Sequence, residues 1–536
     1  MLPRLFTSLF SGMRPKVQAV KEIAATLPDD MLQTLGGKKA VALKAAVRQA
    51  FQEPNDGQAF VQLLLGKARD LDWDDDEIEK IVIYADYFSG QTGGAYQRIV
   101  AKGFEQTDPE MFVLACMALY MNDEFERSYA LLRTRNIGDP AFLANPDFMG
   151  FAGYIALSAG AGVEKSLAYF DPPLETGTIT NAYVTNAYPV YFEAGRLQTV
   201  ADLHHYIQRN FSDDPQAVYA LACVELARGY FPEGFRLAEC RYQHPDATQF
   251  INGDLFDKPR WQGESLVGKR LLVHAEQGLG DLLMCARYLP GLTEMAAGVS
   301  VESHEVAIPL LAPNFPKVNL LPIHRKLAAS SEFDYWVGAM SLPHLFNSTV
   351  DSVPGKNGYL SCPTEHLQHW NDSLLQSGVG NKLRIGIAWS GNPRHRADRR
   401  RSMKFDVVRP YIARMPDVEF FSLQTDVPVN YPDNLTNYSE EMVTLADTAA
   451  LIMEMDLVIT VDTSVVHIAG ALGKETWLLL PYRYEWRWGL EGEANPWYES
   501  VRVIRQPYFE DWVAVLEDVF SYRLPEYLEK LGRGVA

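Results

Sequence analysis

The chain has 536 residues, 47% of them apolar and 22% charged, with 38 Gly and 31 Pro. That composition excludes a disordered chain, and the length implies about three domains at roughly 100–200 residues each. The formal net charge of −19, from 49 basic and 68 acidic residues, excludes a generic nucleic-acid binder, so any phosphate site must be a local basic cluster.

Met1–Lys16 mixes apolar residues (Leu2, Leu5, Phe6, Leu9, Phe10) with basic ones and lacks both a continuous apolar core and a cleavage site, so it does not read as a secretion signal. Five scattered cysteines, Cys116, Cys223, Cys240, Cys285 and Cys362, form no CxxC pair. They point to a reducing, cytoplasmic setting with no zinc framework. No membrane span is expected: even the apolar stretch Leu457–Leu480 is broken by Asp462, His467, Lys474 and Glu475. Asp72-Trp73-Asp74 has the spacing of metal-dependent sugar transferases. It opens an apparent helix, Glu77–Tyr87, where acids complement the macrodipole, so no metal site is expected there.

Residues 1–250 read as a helical arm. Apolar residues recur at helical spacing in Met111–Leu132, Val200–Ile207 and Ala217–Leu226, and Asp108-Pro109, Asp139-Pro140 and Asp214-Pro215 look like helix starts. Gly162, Gly195 and Gly229 fall 33 and 34 residues apart, each ahead of a helix-like stretch, which fits tetratricopeptide units. Such units stack and leave a concave surface suited to a peptide, an irregular helical bundle being the alternative. Residues 251–268 form a connector. Short apolar runs then alternate with helical patterns: Leu271–Ala275, Ile385–Trp389, Val418–Leu423, Leu457–Val461 and Thr476–Leu480. The alternation predicts two parallel α/β domains, 269–378 and 379–506, with a break near Gly378–Asn381 and an amphipathic helix at Phe509–Leu524.

Four constellations carry chemistry. In the first, the Leu271–Ala275 strand runs through Glu276-Gln277-Gly278-Leu279-Gly280-Asp281 into a helix. Gly278 and Gly280 allow tight backbone and close approach of a ligand. Asp281 is placed either to cap the helix or to act as a general base. The second, Trp389-Ser390-Gly391-Asn392-Pro393, leads into a run from Arg394 to Lys404 that holds six Arg or Lys and one acid, including Arg399, Arg400 and Arg401. Directly after a strand, it reads as a diphosphate clamp with Ser390 and Asn392, or else as a solvated loop.

In the third, a strand ends at Asp462, and Thr463 and Ser464 open a helix whose N-terminus suits a phosphate. His467, four residues after Thr463, shares its face and either donates to that phosphate or is a packed core histidine. The fourth, Pro481–Trp488, alternates aromatic residues with Arg; Trp486 and Trp488 either stack a base or sugar or pack at an interface. No Gly-x-x-x-x-Gly-Lys-Ser/Thr and no Gly-x-Ser-x-Gly is present. A cleft between two α/β domains holding a nucleotide diphosphate accounts for all four.

His274–Asp281, Ala388–Pro393 with its Arg cluster, and Asp462–His467 together resemble bacterial tetratricopeptide-repeat glycosyltransferases, whose catalytic part is similar to the heptosyltransferases of glycosyltransferase family 9. The motifs cover roughly residues 260–510 in the expected order. The resemblance implies a helical TPR-like solenoid followed by an α/β GT-B fold. In it, an acceptor-side Rossmann-like domain faces a nucleotide-sugar-side one, and a C-terminal helix over 507–536 crosses back onto the first. It also implies inverting transfer from a nucleotide-sugar donor without a metal or other cofactor. Asp281 would be the base; Gly278, Gly280, Ser390, Asn392, Arg399, Arg400, Arg401, Asp462, Thr463, Ser464 and His467 would surround the donor. Heptosyltransferases lack a repeat arm, so their lipopolysaccharide acceptor does not carry over. A repeat arm on a GT-B domain resembles protein-modifying transferases, which points to an acceptor protein, flagellin first. A non-catalytic scaffold, a glycan transferase and a nucleotide-sugar epimerase are the alternatives.

Overall fold

A computed structural model describes residues 74–136, 138, 142, 145–243, 256, 258–276, 278–323, 333–376, 382–392, 398–425, 430–482, 485–508 and 511–532. Met1–Lys16, Asp72-Trp73, Asp139-Pro140, Gln277, Pro393–Ala397 and the break near Gly378–Asn381 lie outside them, as do the side chains of Arg399 and Arg400. The chain divides into two compact units, one ending at Ile207 and the other beginning at Gln208.

The first unit is helical. Its helices come in pairs: Asp75–Phe88 with Thr92–Lys102, Pro109–Met121 with Phe125–Leu132, Pro146–Ser158 with Val163–Thr176, and Asn181–Glu193 followed by Leu197–Asn210. Asp108 starts the second pair as expected, its Oδ1 accepting from Glu110 N at 2.9 Å with Pro109 in the first turn. Asn145 and Thr180 cap later helices in the same manner. Gly162 and Gly195 sit at the inter-helix turns with φ of +90° and +67°, where a side chain would be strained. Pro109–Met121 and Pro146–Ser158 each bury ten of 13 residues and form the inside of the unit, whereas Thr92–Lys102 buries three of 11.

The second unit opens with one more helix pair, Pro215–Ala227 and Phe231–Ala238, capped by Asp214 and turning at Gly229 (φ +83°). The arm expected to run to residue 250 therefore surrenders its last pair to the α/β unit. Two parallel sheets follow. The first holds β1 (Arg270–His274), β2 (Gly298–Ser303), β3 (Val318–Pro322) and β4 (Tyr335–Gly338) in the order β3-β2-β1-β4. The second holds β5 (Leu383–Ala388), β6 (Val418–Ser422), β7 (Leu435–Asn437), β8 (Leu457–Val461), β9 (Thr476–Leu480) and β10 (Val501–Arg505) in the order β10-β9-β8-β5-β6-β7. Every pairing is parallel, with β5 set between β6 and β8 from Ile385 opposite Leu457 to Ala388 opposite Thr460. The strand order reverses between β1 and β4 and between β5 and β8. Open α/β sheets leave a crevice at such points, beyond the carboxyl ends of the strands.

Two expectations are corrected. Among the described residues, the C-terminal segment packs on the second sheet and not, as expected, on the first. Trp512–Glu517 continues through a π-helical turn, Asp518–Arg523, into Leu524–Lys530. Val515, Leu516, Val519 and Phe520 pack on the second sheet with Tyr411, Phe420 and Trp477, because that face presents the apolar surface that matches theirs. The Thr364–Gln376 helix, assigned to the first domain by a boundary at 378, packs Trp370 on Tyr438 of the second. The two α/β layers are tied through their flanking loops and helices: Tyr359 N and Leu360 N donate to Ala471 O at 2.8 and 2.9 Å, and Arg287 Nη1 donates to Trp497 O at 2.9 Å.

Candidate active site

The chain leaves β1 at His274 and passes buried Glu276 to the Leu279–Cys285 helix, with Gly278 as its N-cap. Asp281 is in the first turn, where its Oδ2 accepts from Gly278 N at 2.9 Å. The capping role is therefore real. Neither glycine has a positive φ, Gly278 lying at −69°, so the expected tight backbone is not their reason for being there. Gly280 serves close approach instead, and of a side chain: a Cβ there would lie 2.6 Å from His467 Cδ2.

His467 comes from the Ser464–Ala471 helix that follows β8. It is 4% exposed, its Nδ1 is 3.0 Å from Tyr498 Oη, and its ring lies against Trp488 at 5.3 Å between centroids. Burial lowers its pKa to about 3; Asp281 opposes the shift while Arg487, Arg287 and Arg401 add to it, so the ring is neutral. In this arrangement His467 packs two helix starts together. Thr463 caps its helix, Oγ1 accepting from Val465 N at 3.3 Å, and Asp462, Thr463 and Ser464 are half-buried at the end of β8.

Sequence reasoning missed the residue that joins these elements. Arg487 lies in the Trp486–Trp488 turn after β9, and its Nη2 is paired with Asp281 Oδ1 while Nη1 is paired with Glu485 Oε1. Its guanidinium lies 4.4 Å from the centroid of the Trp486 ring. Burial works against its charge, but the carboxylates of Asp281, Glu485 and Asp462 outweigh that and hold its pKa above the ordinary arginine value. Burial raises the pKa of Asp462 and of Glu485, with Arg487 opposing in both cases and Arg401 also opposing at Asp462. The available signal was the Arg in the aromatic stretch 481–488, which pattern alone reads as stacking.

The stacking expectation for Trp486 and Trp488 is corrected. Trp488 is 0% exposed against His467 and Tyr498, and Trp486 packs edge-on to Phe235 and Trp497. Both rings are buried in protein, Trp486 in part because Phe235 of the 215–238 helix pair packs on it.

After β5, Gln424 holds the loop base: its Oε1 accepts from Trp389 N and Ser390 N at 3.0 Å each, and its Nε2 donates to Ser390 Oγ at 2.9 Å. Gly391 N donates to Ser402 Oγ at 2.9 Å, and Asn392 is exposed. Arg401 belongs to the Asp398–Arg401 helical turn, its Nε 3.3 Å from Asp398 Oδ1; a Cβ on Gly391 would lie 2.8 Å from Arg401 Nη2. The structure thus brings Gly278, Gly280, Asp281, Asp462, Thr463, Ser464 and His467 together with Arg487, and sets Arg401 in the field of Asp462 and His467. Among the described residues, no group of three or more His, Cys, Asp or Glu side chains is placed to hold a metal ion. Nor is any helix among them long and apolar enough to cross a membrane.

No protein-family model matches the chain. Over 384 residues, 65% of its length, it is 27% identical to protein FlbA of Caulobacter vibrioides, and the match spans 62% of that protein. Among solved structures it is similar to a glycosyl transferase of family 9 from Veillonella parvula (TM-score 0.33, 12% identity, 47% of this chain and 91% of that one). It is also similar to the ADP-heptose lps heptosyltransferase II of E. coli (TM-score 0.33, 14% identity, 48% and 99%). A third is the E. coli heptosyltransferase WaaC with ADP (TM-score 0.31, 12% identity, 49% and 98%).

Proposed function

We propose that residues 208–536 form a nucleotide-sugar glycosyltransferase of the GT-B kind. The carrying observation is the convergence on Arg487, beyond β9, of Asp281, beyond β1, and Asp462, beyond β8, β1 and β8 being strands that flank the two reversals. The donor phosphates lie at the Thr463–Ser464 helix start, with Arg401 and Arg487 supplying positive charge. The acceptor hydroxyl attacks the anomeric carbon from the opposite face: its O–C bond forms, the C–O bond to phosphate breaks, the electron pair leaves with the nucleotide, and the proton goes to Asp281. Inversion follows from that single displacement. The cations and N–H groups stabilise the departing phosphate, the largest catalytic term in this scheme and one that calls for no metal. Neutral His467 supports the two helix starts and can reach the phosphate only as a hydrogen-bond donor.

The acceptor is a protein, with flagellin the first candidate, held by tetratricopeptide-like repeats in the helical arm. Supporting this, the first helices of successive pairs begin at residues 75, 109, 146, 181 and 215, steps of 34, 37, 35 and 34. The test is thermal stabilisation by CMP, UDP, GDP and ADP sugars with and without chelator, followed by transfer to purified flagellin with the stabilising donor. A selective, chelator-insensitive shift is expected, and Asp281→Asn should lower turnover about 10²-fold or more while donor still binds. No shift with any donor would leave the α/β unit as a scaffold.

A further inference from the structure

The scheme above needs Asp281 free to take a proton, yet here both of its oxygens are engaged: Oδ2 by Gly278 N at 2.9 Å and Oδ1 by Arg487 Nη2. Gly278 N only caps a helix. Arg487 is different in kind, since it reaches Asp281 from a turn 206 residues away in sequence and serves more than one anion. Its other terminal nitrogen is paired with Glu485, and the same guanidinium acts on Asp462, the residue immediately before the helix start at Thr463. Its backbone is pinned, because Trp497 Nε1 donates to Arg487 O at 2.9 Å and Trp486 beside it is buried. The side chain can therefore exchange partners without moving the turn.

The local charge favours such an exchange. Among the described side chains, Asp281, Asp462 and Glu485 face Arg487, while Arg401 acts on Asp462 and is itself matched by Asp398, and Arg287 reaches the field of His467. His467 adds no charge. Among the described side chains here carboxylates outnumber guanidinium groups, so a nucleotide phosphate arriving beside Asp281 and Asp462 gains from a guanidinium released to it. A phosphate offers a guanidinium the same forked, charge-assisted geometry as a carboxylate, with more charge behind it.

We propose that Arg487 is an exchangeable phosphate ligand: it masks Asp281 in the free protein and passes to the phosphate of the bound donor, so that Asp281 becomes a competent base only in the donor complex. This rests on the glycosyltransferase reading above. The proton of the attacking hydroxyl then goes to Oδ1, the oxygen that Arg487 has left, while Arg487 stabilises the departing phosphate. Donor must bind before the acceptor is activated, and a free acceptor meets no base.

The experiment is calorimetric titration of the full chain with UDP, GDP, ADP and CMP, using wild type, Asp281→Asn, Arg487→Met and the double variant. Asn keeps an acceptor for Gly278 N but lacks the charge that holds Arg487. Asp281→Asn is expected to bind the selected nucleotide roughly tenfold more tightly than wild type, and Arg487→Met roughly tenfold more weakly. In the double variant the gain from Asp281→Asn should vanish, because nothing is left to release. Equal or weaker binding by Asp281→Asn overturns the exchange. So does a gain that persists undiminished in the double variant, which would mark it as the removal of a repelling charge. Should Arg487→Met fail to fold, Arg487→Lys keeps the charge and loses the fork, and is expected to shrink the Asp281→Asn gain severalfold. Failure of wild type and Asp281→Asn to bind any of the four nucleotides overturns both the exchange and the glycosyltransferase reading.

Discussion

Gly280 and His467 pack against each other across two helix starts, and each makes a prediction. A Cβ on Gly280 would fall 2.6 Å from the His467 ring, which Tyr498 and Trp488 hold from behind. Gly280→Ala should therefore cost about 1–3 kcal/mol in urea unfolding and shift Asp281 in the next position. An unchanged midpoint would mean that the two helices separate freely. His467 has a folded pKa of about 3 because it is buried, against about 6.5 when unfolded. Between those values the unfolded chain takes a proton that the folded chain refuses. Its contribution is constant above pH 6.5 and falls as pH drops below it, by up to about 1.4 kcal/mol per pH unit. His467→Gln should flatten the loss of stability between pH 7 and 5; an unaltered slope would show that His467 is not held neutral. At this scale the sequence revealed which residue types stand after each strand. It did not reveal that Arg487 pairs with Asp281, since residues so far apart meet only through the packing of the sheets.

The helix pair at 215–238 shows how an element is recruited. Just past it, Arg241 donates Nε to Glu276 Oε2 at 2.9 Å and Nη2 to Glu276 Oε1 at 2.8 Å, and Glu276 Oε1 also accepts from Met340 N at 2.8 Å. Both side chains are buried, and Glu276 immediately follows the end of β1 that leads to Asp281. Arg241→Met leaves a buried carboxylate without its cation, which should cost about 3–5 kcal/mol. Arg241→Met with Glu276→Leu should recover much of that loss, and chemical denaturation of the single and double variants measures it. Phe231 and Phe235 add ring contacts to Trp497 at 5.2 and 6.2 Å. β8 and β9 were legible to the residue because all five positions of each are buried and hold β-branched or apolar residues, Thr460 and Thr476 included. β2, β3, β4, β7 and β10 were not, β2 and β10 because Ser300, Glu302, Ser303, Arg502 and Arg505 interrupt their apolar positions. β3 buries only Leu321, β4 has four residues and β7 three, too little for a period to show.

For the whole molecule, the division at Ile207 separates a helical unit from one that contains the candidate site entire. A chain beginning at Ser212, between the Leu197–Asn210 and Pro215–Ala227 helices, keeps both sheets and the Arg241–Glu276 pair. It should fold cooperatively and bind nucleotide as the full chain does, while transfer to a protein acceptor is lost. Calorimetry and mass spectrometry of the acceptor read the two effects separately. Retained transfer to protein would remove the acceptor role from residues 1–207. A chain starting at residue 251, the boundary expected from sequence, lacks Arg241, Phe231 and Phe235 and should be markedly less stable.

Local chemistry was determined by the sequence alone. Asp-Pro pairs start helices, glycines turn them, apolar runs make buried strands, and the residues after each run carry the charge and hydroxyl groups of the site. These are short-range consequences of backbone sterics and burial, so a window of ten residues contains them. Only the tertiary structure decided what those groups face. It buried Trp486 and Trp488 in protein, folded the last helix onto the second sheet, and set His467 against Gly280 rather than leaving it open. It also gave Asp281 a partner in Arg487. Each of these depends on which surfaces meet when two sheets and a helix pair bury their apolar faces together, and that is a property of the whole packing rather than of any segment.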